Sequence, residues 1–201
     1  MRTLALGLLG LGTLQAADVH AWSLSLAAAP RRVFLHVGNG TVDADNGTIN
    51  LVTANLTGTQ LLSGAAQAMT SNSTQSTSLY GDGYATCPTP GTQVMVGASY
   101  RRSNAADGPA SATLRVTSPA SLTSAAGDTI PFSQISWAVS AAGSPSPAII
   151  PAGTFNGATQ TLATIPANTY IENCHSFSYA NSAIRAAGTY NGRVTYTLSS
   201  P

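Results

Sequence analysis

The chain closes on AAGTYNGRVTYTLSSP, residues 186–201, and the fold can be read outward from this stretch. Tyr190, Val194, Tyr196 and Leu198 share one parity, with Gly192, Arg193, Thr195 and Thr197 interspersed. Side chains of a strand alternate between its two faces, so residues 189–198 read as a strand with one apolar face. Chain ends usually fray. A strand placed so close to the terminus must therefore be held by neighbours, which points to a sheet that this segment completes or organises.

The same alternation recurs upstream. Runs of β-prone residues at 31–37, 48–56, 93–100, 112–117, 130–139, 159–164 and 170–179 are separated by turn clusters. Their spacing predicts an all-β fold, an antiparallel β-sandwich of about eight strands in two packed sheets. Asn39-Gly40, Asn46-Gly47, Asn156-Gly157 and Asn191-Gly192 supply the positive-φ positions that tight turns need. Helical periodicity is nowhere sustained. The polar stretch TSNSTQSTSLYGDG, residues 70–83, and the proline-broken SAAGSPSPAIIPAG, residues 140–153, read as surface loops. A length of 201 residues calls for one core. The expectation is a single domain over residues 30–201.

The first residues set the compartment. Met1-Arg2 followed by TLALGLLGLGTL, residues 3–14, has the charge and the apolar run of a secretory signal peptide. The protein is expected to be exported to the periplasm, the cell surface or the medium. Small residues permit cleavage after Ala21, in VHA, or after Ala28 or Ala29, in LAAAP. The later cut is preferred here, making residues 1–29 the leader, because it places the strand-like RRVFLHV, residues 31–37, at the start of the mature chain. Export also gives meaning to Cys87 and Cys174. An even pair in an oxidising compartment predicts one disulfide, which stabilises by about 4 kcal/mol through the unfolded chain. His175 adjoins Cys174 but points to the other face of its strand, and it reads as a partly exposed histidine.

Composition excludes several classes of function. Charged residues make up 7% of the chain, against about 25% in ordinary globular proteins. All the basic residues are Arg, and the net charge is +1. A nucleic-acid partner is not expected, and no second apolar span suggests membrane association once the leader is gone. Neither GxSxG nor HExxH occurs, and no two acids are singled out as a glycosidase pair. DADNGT, residues 43–48, begins like a calcium loop, yet its sixth and twelfth positions are Thr48 and Ala54 instead of Gly and Glu. The reading is a non-enzymatic protein with no metal and no cofactor. Trp137 and Phe177 read as core residues. Tyr80 and Tyr84, flanking GDG, are the loop aromatics on which a glycan can stack, so the alternative function is a monomeric carbohydrate-binding module or adhesin.

With these residues in view, the ending GTYNGRVTYTL resembles the closing strand of the spore coat protein U domain and of related chaperone–usher pilus subunits. Gly188 stands fourteenth from the end, as in many such subunits. The resemblance implies an immunoglobulin-like sandwich that lacks a strand, an exported structural or fimbrial role, and partners that are a periplasmic chaperone or copies of the chain itself. It makes Tyr190, Val194, Tyr196 and Leu198 the assembly face of the terminal strand.

Overall fold

The two-residue alternation of the sequence becomes layered sheets. A computed structural model describes residues 22–39, 49–79, 83–139 and 150–200. Residues 1–21, most of the expected leader at 1–29, the turn at 43–48, Tyr80 and most of the loop at 140–153 lie outside the described residues. The strands are β1 Trp22–Ser25, β2 Arg32–Val37, β3 Val52–Thr53, β4 Gln67–Ala68, β5 Thr70–Ser71, β6 Gln93–Arg101, β7 Ser111–Thr117 and β8 Ser121–Ser124. They continue with β9 Thr129–Pro131, β10 Ile135–Val139, β11 Gly153–Thr154, β12 Thr159–Pro166, β13 Thr169–Tyr179, β14 Tyr190–Asn191 and β15 Thr195–Ser199. A short helix, α1 Gly58–Ser63, lies between β3 and β4.

Every pairing among the described strands is antiparallel. A seven-stranded sheet has the order β11-β10-β13-β6-β2, with β1 and β4 also on β13. Three-stranded sheets are formed by β12-β7-β15 and by β14-β8-β9, and β3 pairs β5. The protein is all-β, and the main core is a sandwich. Val96, Ala98 and Tyr100 of β6, Ile171 of β13 and Trp137 of β10 join Ala112, Leu114 and Val116 of β7 and Leu162 and Ile165 of β12 in one buried cluster. Each large apolar side chain so buried stabilises by roughly 1.5–3 kcal/mol.

Three of the expected strands are divided. Residues 48–56 yield only β3, and the chain then turns into α1, which has a capping box. Thr57 N–H donates to Gln60 Oε1 at 2.9 Å, and Gln60 N–H donates to Thr57 Oγ1 at 3.2 Å. That local signal forms a helix without any sustained apolar period. Residues 130–139 are interrupted by a 3-10 turn at Phe132–Gln134, so that β9 and β10 lie in different sheets. The C-terminal run is split between β14, which pairs β8, and β15, which pairs β7. Gly192 occupies the crossing, where a Cβ would come within 2.6 Å of Phe132 Cε2 and 2.7 Å of Leu122 Cδ2. The chain passes there only without a side chain.

His175 corrects a further expectation, since it is 0% exposed. Its odd position on β13 turns it to the core side, in register with Val139. Its ring stacks on Trp137 at 6.5 Å and lies 6.3 Å from Phe177. Among the described residues neither ring nitrogen has a hydrogen-bond partner, and burial pushes the imidazole pKa down to about 3. Between an unfolded pKa near 6.5 and this lower value, the unfolded chain binds a proton that the folded chain does not. Stability from this group is therefore full above pH 6.5 and falls on acidification, by up to about 1.4 kcal/mol per pH unit. Denaturant titrations from pH 7.5 to 4 should show His175→Phe losing less stability than the unmodified chain; parallel pH curves would refute the assignment.

Candidate functional site

Two edge strands meet on one side of the sandwich. β15 pairs with β7, placing Tyr196 opposite Val116 and Leu198 opposite Leu114. β2 pairs with β6, placing Val33 opposite Tyr100, Leu35 opposite Ala98 and Val37 opposite Val96. These registers turn both apolar rows toward the core. Among the described strands, neither β2 nor β15 has a partner on its other side. They nonetheless run close together. Arg31, immediately before β2, donates from Nε to Ser200 Oγ at 3.0 Å and from Nη2 to the Ser200 carbonyl, just beyond the end of β15.

Burial is unequal across this edge. Tyr100, Ala98, Val96, Leu114 and Val116 are at most 1% exposed, whereas their register partners on the edge strands are not buried. Val33 is 48% exposed, and Leu35, Val37, Val194, Tyr196 and Leu198 are only partly buried against the core. The Tyr196 hydroxyl is withdrawn from water, which raises the phenol above its ordinary pKa. Core-facing apolar residues that stay partly exposed thus line a seam where two strand edges lie close together without a ladder between them. Of the four residues grouped by parity in the sequence, Val194, Tyr196 and Leu198 lie along this edge. Tyr190 belongs instead to the β14-β8-β9 sheet, and its hydroxyl donates to the Ala186 carbonyl at 2.8 Å.

The opposite face of the seven-stranded sheet is also covered. Cys87 and Cys174 form a disulfide with a Cα–Cα distance of 5.3 Å, and with Met95 they make a small second core. Beside it, His36, Gly97 and Glu172 form one cross-strand row. Glu172 is 0% exposed. Its carboxyl accepts from the hydroxyls of Tyr170 and Thr86, and from Ser78 Oγ at 3.1 Å. A Cβ at Gly97 would collide with the Tyr170 hydroxyl, so glycine lets that phenol lean across the sheet to reach Glu172. His36 is 2% exposed, and its ring nitrogens have no hydrogen-bond partner among the described residues. Burial lowers its pKa, and the Gly38 backbone partly offsets this.

This polar layer was missed in the sequence because Glu172, His36 and Thr86 are far apart along the chain. Even parity on β13 is the one signal that joins Tyr170, Glu172 and Cys174. The loop aromatics are less informative. Tyr84 is 38% exposed, with its carbonyl accepting from Ser78 N–H at 2.7 Å and Thr86 N–H at 3.1 Å, while Tyr80 lies outside the described residues. No group of three or more His, Cys, Asp or Glu able to hold a metal occurs among the described residues. Among the same residues no helix is long and apolar enough to cross a membrane.

Comparison of the chain with protein-family models, curated proteins and solved structures finds no match. The faces assigned to β15 can be tested directly. Leu198→Asp should lower the free energy of unfolding by about 2 kcal/mol or more, because it places a charge against Leu114. Thr197→Asp, on the exposed face, should change it by about 0.5 kcal/mol or less. Equal losses in denaturant unfolding would show that the faces are wrong.

Proposed function

We propose that this protein is an exported structural subunit, pilin-like in its logic, that assembles by adding a β-strand of another polypeptide at the edge where β2 and β15 meet. The observation that carries this reading is that two adjacent edges, without further partners among the described strands, hold the 48% exposed Val33 on one and the only partly buried Tyr196 and Leu198 on the other. A self-contained sandwich gains by burying such residues at roughly 25 cal/mol per Å². A subunit completed in trans leaves them for its partner. Main-chain pairing then supplies affinity, and alternate apolar side chains of the incoming strand supply register. The partner is another copy of the chain or a periplasmic chaperone that holds this edge before assembly.

Size-exclusion chromatography with light scattering on the oxidised protein tests the proposal. Concentration-dependent, heat-resistant oligomers are expected, and an excess of a peptide copying residues 31–37 should raise the melting temperature of the remaining monomer. Val33→Asp should abolish both effects while preserving the far-ultraviolet circular dichroism, since Val33 is too exposed to carry the fold. A protein that stays monomeric and gains nothing from the peptide would overturn the reading.

A further inference from the structure

We infer that the leader is removed between Ala21 and Trp22, so that the mature chain begins on the first residue of β1. The inference rests on the reading of this protein as exported. Sequence alone allows two cuts, after Ala21 or after Ala28 or Ala29, and slightly favours the later one. What the residues between those points do in the fold reverses that preference.

Strand β1 starts at Trp22, and all four of its residues pair with β13, in the register Trp22 with Glu172, Ser23 with Ile171, Leu24 with Tyr170 and Ser25 with Thr169. The engagement continues past the strand. Leu26 N–H donates to the Asn168 carbonyl at 2.8 Å. The Ala27 carbonyl accepts from Arg101 Nε at 3.0 Å and from Arg101 Nη2 at 2.7 Å. Cleavage after Ala28 or Ala29 would discard every one of these bonds. It would strip residues 169–172 of β13 of one of their two ladder partners, leaving only β6, and open to water the backbone beside the fully buried Glu172. Unpaired strand edges of this kind are also templates for aggregation.

Cleavage after Ala21 keeps all of β1 and its pairing with β13. Val19 and Ala21 provide compact residues at the −3 and −1 positions that a signal endopeptidase reads. Hydrolysis of the Ala21–Trp22 peptide bond consumes one water and leaves a carboxyl on Ala21 and a free amino group on Trp22.

Expression of the full-length chain in a secreting bacterium, followed by N-terminal sequencing and intact mass measurement of the exported protein, tests this. A start at Trp22 with two oxidised cysteines is expected. A start at Ala29, Pro30 or Arg31 would overturn the site while leaving export intact, and a protein still carrying Met1 would overturn the export reading itself. Two oxidised chains beginning at Trp22 and at Arg31 provide an independent measurement. The shorter chain should melt at a lower temperature and lose amide protection at residues 169–172. Equal melting and equal protection would remove the structural ground for the inference.

Discussion

Strand β13 cannot leave either face to water. Its odd positions, Ile171, His175, Phe177 and Tyr179 among them, belong to the core side, and its even positions Tyr170, Glu172 and Cys174 are buried beneath the segment that carries Thr86 and Cys87. An antiparallel strand usually has one wet face. Here both are covered, and much of the molecule is arranged to make that possible. β6 and β10 supply its neighbours, the β12-β7-β15 sheet closes the core side, and the disulfide with its adjoining hydroxyls closes the other.

Two kinds of chemistry close these two faces. The core side is apolar, and its stability comes chiefly from area removed from water. The other side is small and polar. There Glu172 is tolerated in the interior only because hydroxyls from three separate residues point at it. The Cys87–Cys174 bond stands two residues from Glu172 on the same face. It holds together a layer with too few apolar side chains to do so by burial.

The edges behave differently from the centre. With β1 in place β13 has ladder partners on both sides over residues 169–172, whereas β2 and β15 form no ladder with each other and are bonded at one end by Arg31 and Ser200. On the assembly proposal this contrast has a purpose. The strand that organises the fold is sealed within one chain, and the incomplete edge is placed where filling it disturbs neither layer.

Local alternation in the sequence was sufficient for the all-β class, for most of the strands and for the inward direction of Val194, Tyr196 and Leu198, because strand periodicity is a property of neighbouring residues. Oxidation state and pairing of the two cysteines were legible from their number, since two cysteines allow one bridge. Where strands end was less legible. The breaks at Phe132–Gln134 and Gly192 arise when the chain moves from one sheet to another, and the collision that requires Gly192 involves Phe132 and Leu122, both distant in sequence. The burial of His175, the gathering of Tyr170, Glu172, Thr86 and Ser78, and the half-filled edge beside β2 were decided by tertiary structure alone. Each depends on which strands become neighbours, and that is settled by the packing of the whole sandwich, not by the residues on either side of a position.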